Sequence, residues 1–290
     1  MKHTLLLLSL CGLAAGAVSL RAQTATTTTT TTAPAPATTT AAAPAAPAAP
    51  AAPSLSWTLT PTYVSSYMFR GQRLGGQSFE PSLEADYGNL AIGVWSNDPI
   101  TNKDKVPGQS DPEIDPYGSY TFSLSDAFSI QPGFTWYTYV KAPLDQGFYR
   151  MTFEPNLALN YTVEGVKLTP KIYYDVILHE VTYEFDAAYT VPLKQLGTEL
   201  DFLGTVGTYK GTDVANTDGV ANAPATKAWG NYWLAGVTVP FQLNSATKLS
   251  VGWAYTEGSS SFFKTDHQPK QINTEAVGRG VATVSLAWTF

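Results

Sequence analysis

The sequence predicts an all-β chain that closes into a transmembrane antiparallel up-and-down β-barrel of about twelve strands. Three observations predict it. Only 14% of the 290 residues are charged, against 44% hydrophobic and 12% aromatic, well below the roughly 25% charge of ordinary soluble domains. Apolar and polar residues alternate with period two across most of residues 54–290, as in strands with two unlike faces. Short and long connections also alternate, the loop sorting of outer-membrane barrels. After residue 20 no run approaches the roughly 18 apolar residues of a membrane helix.

Two segments precede the alternating region. Residues 1–22 carry Lys2 and His3, an apolar run from Leu5 to Ala17 and small residues at Ala22, with an alternative cut at Ala17. This is the pattern of a cleaved secretory signal peptide. Cys11 is the chain's only cysteine, and Leu10 before it is too large for a lipid-attachment site. The exported chain then has no thiol chemistry. Residues 23–53 form a linker in which 24–53 are only Thr, Ala and Pro. Such a segment buries no core and favours extended geometry, a periplasmic tether or a spacer touching the cell wall. With Lys2 and Arg21 removed from 17 basic residues, 15 face 23 acidic ones over residues 54–290. No nucleic-acid partner is expected.

Each strand follows from its phase. Trp57, Leu59, Tyr63, Tyr67 and Phe69 occupy odd positions, so the first strand is read through residue 70. Phe79, Leu83, Ala85 and Tyr87 make the second, ended by Gly88-Asn89, and Leu90, Ile92 and Val94 the third. Further runs follow at Ile114 to Leu124, Phe128 to Trp136 and Tyr149 to Tyr161. From Val166 to Leu178 the apolar positions are even, and from Val181 to Val191 odd. A strand changes face only through a bulge or turn, so a tight hairpin is expected near His179 and Glu180. Runs near 198–209, 229–241 and 247–257 precede a last strand with Leu286, Trp288 and Phe290 on one face. Long connections fall near 97–112, 210–228 and 258–279.

The two faces differ in chemistry. One is apolar and suits membrane lipid. The other carries twelve acids, Glu80, Glu84, Asp86, Glu113, Asp115, Glu154, Asp175, Glu180, Glu184, Asp186, Glu199 and Asp201, and five bases, Arg70, Arg150, Lys167, Lys171 and Lys248. Charge in hydrocarbon costs a few kcal/mol per residue, about 2–4 at mid-depth for Arg or Lys, while a lumen tolerates it. These residues are the pore-lining candidates, and their acidic excess predicts a preference for cations among small hydrophilic solutes. Twelve strands fall between barrels filled by side chains and barrels with open channels. Inward Tyr117, Tyr137, Tyr139, Tyr173 and Tyr209 narrow the path. Arg70 is expected to pair with Glu84 or Glu113. Trp57, Tyr87, Trp95, Tyr161, Trp288 and Phe290 suit interfacial girdles.

Ser65-Ser66-Tyr67-Met68-Phe69-Arg70-Gly71 resembles the Ser-Asp-Tyr-x-Phe-Arg-Gly signature of the TorF-like porins, a family of Gram-negative outer-membrane barrels. The stretches 93–97, 113–118 and 173–175 are similar to that family's later blocks, and the resemblance covers roughly residues 55–290. It implies an outer-membrane barrel with a transport role and names no substrate. Ser66 stands where the family has Asp, so no role for that acid carries over. Leu286, Trp288 and terminal Phe290 resemble the signal read by the barrel assembly machinery.

Catalytic and metal signals are sparse, and neither a catalytic residue nor a cofactor is assigned. Asp175 and His179 could form an acid/base pair at the rim of a barrel hydrolase, though no Ser in a Gly-flanked turn completes a triad. His267 beside Asp266 reads as a solvated loop residue. A loop Ca²⁺ site using Asp98, Asp104 and Asp111 is conceivable but irregularly spaced, and no metal site is assigned. Gly71, Gly75 and Gly76 precede no helix and make no phosphate loop.

Overall fold

The computed structural model describes residues 53–101, 112–140, 150–213, 226–258 and 278–290. The signal peptide, residues 23–52 of the linker, Asp104, Asp111, Asp266 and His267 lie outside the described residues. Twelve strands run in chain order: β1 (Leu55–Thr60, continued by Thr62–Val64), β2 (Ser78–Phe79 and Ser82–Tyr87), β3 (Leu90–Pro99), β4 (Glu113–Tyr120 and Phe122–Ser123). Then come β5 (Phe128–Thr138), β6 (Met151–Val163), β7 (Val166–Asp175), β8 (Glu180–Leu193), β9 (Thr198–Asp213), β10 (Thr226–Gln242), β11 (Thr247–Gly258) and β12 (Arg279–Thr289).

Each strand pairs antiparallel with its neighbours in sequence. β12 returns to β1, setting Leu59 opposite Trp288 and Tyr63 opposite Val284. At one end of this seam Trp57 and Phe290 each donate their N–H to the other's carbonyl at 2.9 Å. The sheet is therefore a closed twelve-stranded barrel with no free edge. Among the described residues no helix is long and apolar enough to cross a membrane.

Local sequence explains the interruptions. β1 and β2 are each broken once, because the register that pairs Thr60 with Ser82 and Tyr63 with Phe79 sets Pro61 opposite Pro81. Neither proline has an N–H to give the ladder. Glu164 and Gly165, both at positive φ, make a two-residue turn between β6 and β7 of the primed kind that suits hairpins. The expected reversal near His179 is present: β7 ends at Asp175, β8 begins at Glu180, and His179 has φ +55°.

The strand faces sort as the alternation requires. Ile92, Val94, Trp136, Leu157, Ile172, Tyr183, Phe185, Phe202, Val251, Trp253 and Val284 are exposed on the outside. The alternate positions Glu113, Asp115, Thr135, Tyr137, Thr152, Glu154, Thr182, Asp186 and Thr205 are buried inside. This is a soluble protein turned inside out, with apolar atoms at the surface and hydrogen-bonding groups within.

Two readings are corrected. The first strand stops at Val64, and residues 65–77 fold inward, so Tyr67 and Phe69 are buried rather than outward. Trp95 is also buried and cannot belong to a girdle. It shares the inner face of β3 with Asn97 and packs against Tyr67, Phe69 and Leu74.

The wall predicts a depth- and face-dependent response to charge. Val251→Arg on the outer face of β11 should destabilise the barrel in lipid vesicles by about 2–4 kcal/mol, read by denaturant titration. Ser250→Arg, one residue earlier and facing inward, should cost clearly less.

Candidate functional site in the barrel lumen

The connection from β1 to β2 forms a hairpin inside the barrel. Met68 pairs with Arg73 and Phe69 with Gln72, leaving Arg70 (φ +42°) and Gly71 (φ +80°) as the two-residue turn. A Cβ on Gly71 would lie 2.4 Å from the Gly258 nitrogen on β11, so glycine is required by both the backbone conformation and the contact. The base of the hairpin is closed by Tyr67 N–H to the Gly76 carbonyl at 3.0 Å and Leu74 N–H to the Tyr67 carbonyl at 2.9 Å. Ser66 Oγ donates to the Gly75 carbonyl and accepts from Arg73 Nε, both at 3.1 Å. The hydroxyl thus takes the arginine contact that an Asp at this position could make as an ion pair.

From its tip, Arg70 reaches β6 and meets Glu154 in a bidentate pair, with Nη1 to Oε1 at 3.0 Å and Nη2 to Oε2 at 2.9 Å. The pair is 7% and 2% exposed by side chain. Tyr137 Oη donates to the same carboxylate at 3.0 Å. The guanidinium also lies 4.5 Å from the Phe69 ring centroid and 5.1 Å from that of Tyr173, within cation–π range. Arg70 therefore does not pair with Glu84 or Glu113 as expected. The turn aims it across the lumen instead of along the wall.

The other candidates fall into groups. Lys171 bridges Glu184 at 3.1 Å and Asp186 at 2.6 Å, while Tyr173 and Tyr232 donate to Glu184 at 3.0 and 2.7 Å. Thr205 donates to Asp186 at 2.7 Å. Glu84 accepts from Tyr117 at 3.0 Å and Asp201 from Thr190 at 2.7 Å. Asp86, Glu199, Lys167 and Lys248 are half-buried on inward positions, and Glu180 is buried. Arg150 instead lies in an exposed bend before β6, because the strand begins only at Met151. Tyr139 and Tyr209 are buried inside, and Gln72 donates to Tyr209 Oη from the hairpin.

Tyr67 joins the hairpin to β4, donating to Glu113 Oε2 at 2.8 Å. Burial, and then the carboxylates of Glu113 and Asp115, push its phenol well above the ordinary range, so it remains a donor. Trp95, Glu113 and Tyr173, from three different strands, thus meet the hairpin residues around one inward element.

The rim pair has a structural assignment. Asp175 Oδ1 accepts Ile177 and Leu178 N–H at 2.9 and 2.8 Å, and His179 Nδ1 lies 3.3 Å from Tyr174 Oη. Both side chains close the β7–β8 turn. Among the described residues no group of three or more His, Cys, Asp or Glu could hold a metal ion.

No family model and no curated protein matches the chain. Among solved structures, the KdgM porin is similar with a TM-score of 0.49 at 10% identity, over 80% of this chain and 99% of that one. The NanC porin follows at 0.48 and 10%, over 80% and 98%. LpxR from Salmonella typhimurium gives 0.44 and 8%, over 80% and 100%.

The Arg70–Glu154 pair makes a sharp prediction. Arg70→Ala should destabilise the folded barrel by about 3–5 kcal/mol by leaving Glu154 buried and unpaired, measured by urea unfolding in micelles. Arg70→Met combined with Glu154→Leu should recover most of that loss.

Proposed function

We propose that this chain is an outer-membrane channel that passes small hydrophilic solutes and prefers cations. The observation that carries the reading is the opposition of the two wall faces. An apolar exterior requires lipid around it, and a closed sheet satisfies every backbone group there. An interior lined by acids, tyrosines and threonines holds water and raises the local cation concentration. With export through a signal peptide, the loop pattern of outer-membrane barrels assigns the short turns to the periplasm and the longer connections to the outside. The hairpin of residues 65–77 then enters from the outer mouth and narrows the path. Leu286, Trp288 and Phe290 present an apolar terminal strand to the barrel assembly machinery. By composition residues 23–53 are a linker, which offers a contact with the periplasm or the cell wall.

The hairpin favours a second reading, a barrel that the plug closes and that serves as a structural or adhesive surface. Planar-bilayer recording separates the two. The purified protein should show discrete conductance with a reversal potential of cation-selective sign in a salt gradient. Deleting residues 66–76 should raise unitary conductance several-fold. Absence of conductance in the full chain would favour the closed barrel, and anion selectivity would overturn the acidic lumen as the selectivity element.

A further inference from the structure

Beside the hairpin, the inner face of the wall holds a group of oxygens that the hydrogen-bond network does not use. Glu113 and Asp115 are two residues apart on β4 and both 0% exposed. Their carboxyl groups lie within hydrogen-bond reach of one another. Each has one oxygen held in place: Glu113 Oε2 by Tyr67 Oη at 2.8 Å, and Asp115 Oδ1 by Thr138 N–H at 3.1 Å. Tyr139 also lies within hydrogen-bond reach of the Glu113 carboxyl, yet Glu113 Oε1 and Asp115 Oδ2 themselves accept no well-formed hydrogen bond. No Lys, Arg or His pairs with either acid among the described residues.

The independent observation comes from the neighbouring strand. Asn97 on β3 is directly opposite Glu113 in register and is 0% exposed. Neither its Oδ1 nor its Nδ2 has a hydrogen-bond partner. Buried polar groups are normally satisfied, so an amide that is wholly buried, unpartnered and set against two carboxylates marks a missing partner. That partner must attract three oxygens, two of them anionic.

We propose that Glu113, Asp115 and Asn97 bind one divalent, oxygen-seeking metal cation of the Ca²⁺ class on the inner face of the barrel. Such an ion takes 6–8 oxygen ligands in flexible geometry. Glu113 Oε1, Asp115 Oδ2 and Asn97 Oδ1 supply three, and water that enters with the ion supplies the others. One of those waters accepts the Asn97 Nδ2 hydrogen bond. A divalent ion neutralises both carboxylates, which a single proton or a monovalent ion does not. Tyr67 and the Thr138 amide orient the ligands, the usual task of groups just beyond a metal. Through Tyr67 the ion also fixes the hairpin, because the same carboxylate holds both.

The site requires no conducting path, so it stands or falls separately from the channel reading. Trp95 lies directly across from Asp115 in register and can sensitise a lanthanide bound there. Full-length protein folded in micelles and stripped with EDTA should give sensitised Tb³⁺ emission that saturates at one ion per chain and is displaced by Ca²⁺. Asp115→Asn should weaken Tb³⁺ binding at least tenfold, Asn97→Asp should tighten it, and Asp86→Asn, elsewhere on the inner wall, should leave it unchanged. Ca²⁺ should raise the melting temperature of the native chain and not that of the Asp115→Asn protein. A heat-dependent shift in gel mobility checks that each variant is folded, and Asn97→Asp decides the matter if Asp115→Asn is not. Emission that is absent, or indifferent to both substitutions, would overturn the proposal and leave water or a shared proton between the carboxylates.

Discussion

A sheet with hydrocarbon on one side must find every backbone hydrogen-bond partner within itself, and the rest of this structure follows from that constraint. It forces β12 back onto β1, fixes one register around the circumference and assigns each side chain to one of two environments. The β1–β2 ladder tolerates Pro61 opposite Pro81 because the register continues on both sides of the prolines. What closure creates is an interior shielded from lipid and only partly open to water. Ionisable groups there need partners or counterions.

The hairpin is the answer to part of that need. It carries the Arg70 guanidinium to Glu154, a phenol to Glu113 and an apolar group, Phe69 and Leu74, against Trp95. The lumen thus has a small hydrophobic core of its own beneath a polar network. Lys171, shared between Glu184 and Asp186, answers the need on the opposite wall. Glu113 and Asp115 are two wholly buried acids on one strand with no basic partner among the described residues.

The wall was legible because period two is written into every strand. The parity change between Leu178 and Val181 located a turn with no glycine in it, and the inward acids followed from the same counting. The hairpin was not legible, for a physical reason. Its two arms are themselves strands, so Tyr67 and Phe69 continue the parity of Trp57, Leu59 and Tyr63 although the chain has left the wall. The signal that could have exposed it was Arg70-Gly71 followed by Gly75-Gly76, turn chemistry at the end of a strand. Parity also placed Trp95 opposite Ile92 and Val94, on the inner face. Reading it as a girdle residue let residue type override position. The partner of Arg70 was beyond reach because it lies 84 positions away and is chosen by the direction of the turn.

The contacts of the hairpin also carry a kinetic consequence. Half of the neighbouring strand pairs are joined by short turns, whose contacts close quickly because little chain must be ordered. The hairpin instead meets Glu154 and Tyr209 across separations of 84 and 137 residues, and its tip rests on Gly258, farther still. Loop-closure entropy must be met before such contacts return anything. By the same argument the docking of the hairpin and the β12–β1 seam, where Thr58 meets Thr289 across 231 positions, both belong to the late steps of assembly, after neighbouring strands have zipped together.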